Sequence, residues 1–397
     1  MSRPSRPLHP APQLITTSDA LAAFCARLAG ESFITVDTEF MRERTYWPEL
    51  CIVQVAGASE VAIIDAEAEG IDLAPLGALL ANPAILKVFH AGRQDIEIFV
   101  LKFGAVPTPL FDTQIAAMVA GFGDQVGYEA LVAALGEGQI DKAHRFSDWS
   151  VRPLSPAQIA YAAADVTHLR LVFERLRSRL ARDGREAWVA EEMATLADPA
   201  TYRADPETAW ARLRPRSTNR RFLAMLQALA AWREREVLRL NIPRQRLIRD
   251  ETLMEIAASA PTTAEALSRA RGVTKGFAEG KSGQGLLTVI AGVSALPDSA
   301  LPEAPRPREG PRPSPGLVAL LKVLLAARSE EHHVAPRLLA SSEDIERLAA
   351  EETPDIPALH GWRREVFGEA ALALKAGRVA LGTAGKRITL VPIVPAG

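Results

Sequence analysis

The chain has 397 residues, 48% of them apolar and 24% charged, with a formal net charge of −2. That is enough apolar material for about two or three packed domains, and the charge balance excludes a disordered or polybasic chain. Two cysteines, Cys25 and Cys51, are too few for a disulfide framework or a thiolate metal cluster. No run reaches the roughly 18 apolar residues of a membrane span, and the start lacks the apolar segment of a secretory signal. A soluble chain with no disulfide partner in a reducing cytoplasm is the expectation.

In chain order, residues 1–13 read as a Pro-rich, disordered tail. From 14 to 204, short β-rich runs precede helical patterns, as in an α/β domain. The runs are Phe33–Asp37, Cys51–Val55, Val61–Ile64 and Leu86–Phe89, and the four-residue spacer Gly57-Ala58-Ser59-Glu60 predicts an antiparallel hairpin within a mixed sheet. Residues 205–295 read as all-helical, with Phe222, Met225, Leu226, Leu229 and Trp232 on one helix face. Seven prolines in 296–316 indicate an extended linker. From 317 to 397 helix returns, to about Leu381, before a β-like tail at Arg387–Val391. The two helical blocks share an outline, with Pro243-Arg244 and Pro336-Arg337 at equivalent places, and read as diverged copies of one module. His332-His333 has no acid or Cys at ligand spacing and is expected on the surface.

Three acidic features carry chemistry. Asp37 and Glu39 stand two apart at the end of the first strong strand and so project from the same face. Carboxylates held that close repel, raise each other's pKa, and are relieved by a divalent cation; hard oxygen donors favour Mg²⁺ or Mn²⁺ over Zn²⁺. Asp95 follows the fourth strand near the start of a helix whose core stripe is Ile96, Phe99, Val100 and Phe103. Tyr161 and Asp165 lie one turn apart on a late helix.

In this order the segments Phe33–Pro48, His90–Phe99 and Tyr161–Leu169 resemble the three exonuclease motifs of the DEDDy family, specifically its ribonuclease D branch. Asp141-Lys142 and Ser147–Ser155 resemble the stretch before the third motif. The helical blocks resemble HRDC (helicase and RNase D C-terminal) domains, the second more diverged. His168 departs from the family, where a Tyr often follows the last Asp. The resemblance implies a ribonuclease H-like exonuclease domain followed by two all-α HRDC-like domains. It implies a 3′–5′ exoribonuclease that uses two divalent cations, Mg²⁺ or Mn²⁺, on RNA 3′ ends, tRNA precursors above all, releasing nucleoside 5′-monophosphates. Asp37, Glu39, Asp95 and Asp165 would hold the metals, Asp37 bridging them and Asp95 acting through water, while Tyr161 orients the attacking water.

Four neighbours are candidate substrate contacts: Phe40 under a terminal base, His90 at the scissile end, and Lys142 and Arg152 on phosphates. Between Trp210 and Arg249 stand 11 arginines against two acids, a local charge of +9 that fits a nucleic-acid grip. The rival readings are a DNA 3′–5′ exonuclease and a nucleic-acid-binding protein whose nuclease domain is inactive. A comparison of RNA with DNA, and a chelator-sensitive turnover assay, separate them.

Overall fold

The structure, a computed structural model, describes residues 11–135, 147–215, 217–303 and 313–393. These form two compact units: one of residues 11–39, 50–202 and 313–393, the other of residues 40–49 and 203–303. No helix among the described residues is long and apolar enough to cross a membrane.

The first unit is built on a six-stranded mixed sheet. Its strands are β1 (Gln13–Ile15), β2 (Phe33–Met41), β3 (Glu49–Ala56), β4 (Val61–Asp65), β5 (Leu86–Phe89) and β6 (Leu110–Asp112), in the order β1-β4-β3-β2-β5-β6. The expected hairpin is present, with Val53 opposite Ile64 in an antiparallel β3–β4 pair. The other described pairings are parallel, with β2 beside β5 through Thr35 and Val88. Gln13 already belongs to β1, so the tail expected up to residue 13 ends sooner; residues 1–10 lie outside the described residues.

Helices cover both faces. On one, α1 (Ser18–Leu28), α2 (Ala74–Ala81) and α3 (Arg93–Phe103) bury Phe24, Leu76, Ile96 and Phe99 against Ile34, Val36 and Val53. Then come α4 (Thr113–Val119) and α5 (Tyr128–Ala134), followed by α6 (Pro156–Arg182) and α7 (Glu186–Ala197). A capping box between Ser155 and Gln158 starts α6, with Pro156 at its first position. Leu169 and Phe173 of α6 pack on Phe33 and Val88. Arg170 is buried beneath α6, where its guanidinium donates to the carbonyls of Phe33 and Ala56 at 3.2 Å and lies 4.0 Å over the Phe33 ring.

In the second unit, α8 (Arg220–Leu240) is the long central helix, capped by Asn219. Around it are α9 (Arg244–Leu247), α10 (Asp250–Ser259), α11 (Ala264–Leu267), α12 (Lys275–Glu279) and α13 (Lys281–Ser294). Leu226, Leu229, Leu253, Ile256, Leu286 and Ile290 form its core, which Leu301 joins from the segment expected as linker. Arg220 ties that segment down by donating to the carbonyls of Leu301 at 2.8 Å and Pro302 at 3.0 Å. The linker therefore starts later than 296, and it ends before Pro315, where α14 (Pro315–His332) begins.

The last helices join the first unit. With α14 run α15 (Pro336–Leu339) and α16 (Ser342–Ala350), around Leu321, Leu324, Leu339, Leu348 and Phe367. His332 and His333 serve through their carbonyls, which accept from Arg185 at 2.5 and 3.0 Å. Gly121 closes the same junction: at φ +83, a Cβ there would stand 2.5 Å from the His333 carbonyl oxygen. Trp188 stacks on Trp362 with centroids 4.5 Å apart. The helix expected to run to Leu381 gives way sooner, to β7 (Val379–Ala384), which pairs antiparallel with β8 (Arg387–Pro392).

Candidate active site

Alternation along β2 sends Phe33, Thr35, Asp37 and Glu39 to the face that α6 covers. The Thr35 hydroxyl donates to the Val166 carbonyl at 2.7 Å, a buried bond that fixes this strand against α6 one residue from Asp165. The intervening Thr38 points to the opposite face, where its hydroxyl donates to the Asp95 carboxylate of α3. Acids thus reach the end of β2 from both sides of the sheet.

The loop before α3 is organised by Asp112, buried at the end of β6. Its carboxylate accepts from the backbone N–H groups of Gly92 at 2.8 Å, Ala91 at 3.2 Å, Gln114 at 2.8 Å and Ile115 at 3.2 Å. One side chain therefore caps α4 and shapes the turn that aims Asp95, with Ala91 held at φ +55. A Cβ on Gly92 would meet Phe89 at 2.5 Å, so the turn needs glycine there.

The electrostatics fit one anionic cluster. Burial raises Asp37 well above the usual carboxylate range, and Asp95, Asp165 and Glu39 raise it further. Glu39 is pushed up to about 8 by burial, then by Asp165 and Asp95. Burial lifts Asp165 to about 7 against a hydrogen bond from Tyr161, and lifts Asp95 to about 6 against the bond from Thr38. Among the described residues no three His, Cys, Asp or Glu side chains stand at metal-ligand spacing. Asp95 and Asp165 are nonetheless both within coulombic reach of Asp37 and of Glu39. Chemically the set fits hard divalent cations: the donors are all carboxylate oxygens, and none of the principal influences on the four is a positive charge from a described residue.

The sequence left three contributors unassigned. Thr38 and Asp112 orient Asp95 as described. Tyr128, at the start of α5, donates its hydroxyl to the Asp165 carbonyl, and its ring lies 5.2 Å from the His90 ring. The Thr between the two strand acids and the Asp112-Thr113 cap pattern were visible signals; nothing in the sequence marks Tyr128.

The candidate substrate contacts divide. His90 bonds Thr113 Oγ1 through Nδ1 at 3.0 Å, and burial pushes its pKa down to about 4, so the imidazole is neutral near pH 7. Phe40 is half-buried at the strand end. Lys142 lies outside the described residues. Arg152, expected on a phosphate, makes a bidentate pair with Asp65, both bonds 2.7 Å, and donates to the carbonyls of Trp149 at 2.5 Å and Cys51 at 3.2 Å. Its fork is engaged in holding the chain together.

Most of the basic cluster is likewise engaged. Within the second unit, Arg212 and Arg244 pair with buried Glu234, which also accepts from the Tyr46 hydroxyl. Arg233 pairs with Asp250, Arg235 with Glu207, Arg239 with Glu236 and Arg221 with Asp298. Arg246 and Arg249 are exposed, without a guanidinium partner among the described residues, and with Arg271 they line a groove of about 880 Å³ beside Val273 and Phe277.

Residues 12–181 match the 3′–5′ exonuclease family and residues 222–290 the HRDC domain. The chain is 67% identical to the ribonuclease D of Acidiphilium cryptum over 387 residues, 98% of this chain and 99% of that protein. It is 63% identical to the ribonuclease D of Gluconacetobacter diazotrophicus over 392 residues, 99% of this chain and 100% of that protein. The crystal structure of Escherichia coli RNase D, described as an exoribonuclease involved in structured RNA processing, matches at TM-score 0.79 and 32% identity. That match covers 92% of this chain and 99% of the Escherichia coli protein.

Proposed function

The chain belongs to the ribonuclease D family and is a 3′–5′ exoribonuclease, and from that premise we propose that Asp37, Glu39, Asp95, Tyr161 and Asp165 carry out the hydrolysis. Divalent-metal dependence comes with the family; two ions, Mg²⁺ or Mn²⁺, are our assignment from the oxygen donor set. Held by the four acids, such a pair supplies positive charge to the attacking and leaving oxygens of the phosphodiester.

The side chains do the remainder. Burial and crowding raise the carboxylates, so the acids ionise fully only beside compensating charge, which links assembly of the site to loading. Thr38 keeps Asp95 aimed at the strand end. Tyr161, bonded to Asp165, orients the water through its hydroxyl, as a hydrogen-bonding guide rather than a strong base. The product is a nucleoside 5′-monophosphate.

Structured RNA precursors, tRNA 3′ ends above all, are the proposed substrates; the Escherichia coli relative's part in structured RNA processing supports this. Arg246, Arg249 and Arg271 of the second unit, without a guanidinium partner among the described residues, support a phosphate grip on the RNA.

The observation that carries the mechanism is that β2, α3 and α6 bring Asp95 and Asp165 close enough to the strand acids Asp37 and Glu39 to raise both. Asp37→Asn and Asp165→Asn are each expected to abolish release of the 3′ nucleotide from an oligoribonucleotide in Mn²⁺ while circular dichroism stays native. Wild-type turnover by either folded variant overturns the assignment. Faster trimming of DNA than of RNA of the same sequence would favour the DNA reading instead.

A further inference from the structure

Arg152 and its loop answer a question the catalytic proposal leaves open, namely what holds the Tyr161 ring still. Trp149 is only 2% exposed. Its ring centroid lies 6.1 Å from that of Tyr161 with the planes inclined at 35°. The backbone on either side of Trp149 has no regular secondary structure, so something else must fix it. Arg152 does so. One arm of its guanidinium holds the Trp149 carbonyl, while the other edge clamps Asp65 at the end of β4 and the Cys51 carbonyl of β3. Glu67 adds a further ion pair at 3.1 Å. Within the loop, Asp148 accepts from the Ser150 N–H at 3.0 Å and from its hydroxyl. Three residues beyond Arg152, Ser155 caps α6, the helix that carries Tyr161 and Asp165.

We propose that Trp149, stapled to the sheet by Arg152 and Asp65, is a positioning residue for Tyr161. It walls one side of the phenol ring so that the hydroxyl stays at its bond to Asp165. The proposal rests on the assignment of Tyr161 as the water-orienting group. A ring near the exposed end of a helix that lost this wall would sample other rotamers. Displacement of a reacting group by about 1 Å costs on the order of 100-fold in rate. Trp149 itself takes no part in the chemistry.

The test is a double-mutant cycle on the full-length protein, with a single-stranded oligoribonucleotide in Mn²⁺. Trp149→Leu is expected to lower kcat by about 10- to 100-fold while KM stays within about twofold. Trp149→Phe, which keeps an aromatic wall, should recover most of the loss. In a Tyr161→Phe background the Trp149→Leu change should cost less than about twofold, because its effect passes through the missing hydroxyl. An undiminished loss in that background, with Tyr161→Phe itself impaired, overturns the positioning role and leaves Tyr161 catalytic. Wild-type kcat in Tyr161→Phe overturns both. Should Trp149→Leu not fold, Arg152→Lys carries the same cycle, since a lysine keeps the charge but cannot span Asp65 and the Trp149 carbonyl together. A kcat loss that vanishes in Tyr161→Phe supports the staple. A rise in KM with kcat unchanged assigns Arg152 to substrate phosphate and overturns it.

Discussion

Stripped of divalent cations, the protein should lose stability as pH rises from 6 to 8. Glu39, Asp165 and Asp95 sit at about 8, 7 and 6 in the folded chain, against roughly 4 for such groups in an unfolded one. The native state therefore keeps protons that the unfolded state has released, and stability falls as pH climbs through the folded values. Over this window the linkage relation gives losses of about 2 kcal/mol for Glu39, about 1 for Asp165 and less than about 1 for Asp95. Asp37, raised by the same causes, acts in the same direction. His90 opposes them: its pKa of about 4 in the fold returns about 1 kcal/mol as the unfolded imidazole deprotonates between pH 6 and 8. The net loss is about 3 kcal/mol, or on the order of 10 °C in the melting of a domain this size. Calorimetry in chelator at pH 6, 7 and 8 measures it. Millimolar Mn²⁺ should flatten or invert the slope, because cation affinity grows as the acids ionise. Melting in chelator that is level or rising across this range, and unmoved by Mn²⁺, would refute the coupled-acid account.

Thr38→Val removes the donor to Asp95 and should lower kcat roughly tenfold with little change in KM, a cost of about 1.4 kcal/mol, close to the lower bound of about 1.5 kcal/mol for a bond to a charged group; unchanged steady-state kinetics would count against its role. Glu234→Gln removes the buried counter-charge of Arg212 and Arg244, which are themselves 53% and 31% exposed, and should destabilise the second unit by about 1–3 kcal/mol, read from denaturant unfolding. These pairings hold Glu234 down to about 2, so its contribution is whole above pH ~4.5 and fades as pH falls from there toward 2. Replacing Arg246, Arg249 and Arg271 together by Ala should reduce the salt dependence of RNA affinity by about 2 in log–log slope, at ~0.7 for each single-strand phosphate contact, with kcat on a very short oligonucleotide unchanged. An unaltered slope in fluorescence anisotropy assigns the grip elsewhere.

How much of this could be read in advance follows from the range of each rule. Strand alternation put Asp37 and Glu39 on one face, and the structure keeps them there. The same rule sent Thr38 to the opposite face. That Asp95 waits there is a tertiary fact, decided by the α3 stripe of Ile96 and Phe99 packing under Ile34 and Val36. The Arg152–Asp65 pair was not legible, because an arginine's chemistry suits phosphate and carboxylate equally and Asp65 stands 87 positions away. In the arginine-rich stretch only Glu236–Arg239 was visible as a local helical pair; Arg235–Glu207 required the fold. The closing hairpin was half-seen. Arg387–Val391 has the β-branched content of a strand, whereas Val379–Ala384, rich in small residues, reads as a helix end until β8 lies beside it.

Residues 40–49 have a practical bearing. They follow Glu39 without a break, yet they are grouped with the helices of 203–303. There Asn241 accepts from the N–H groups of Tyr46 and Trp47 at 3.1 Å, and Tyr46 shares Glu234 with Arg244. Cutting the gene after the nuclease domain would strip the Tyr46 side chain of Glu234 and Arg244, and the N–H groups of Tyr46 and Trp47 of their acceptor, on the segment that extends from the catalytic strand. Truncations of that kind would report the injury of a torn loop together with any lost affinity for RNA; point substitutions on an intact chain separate the two.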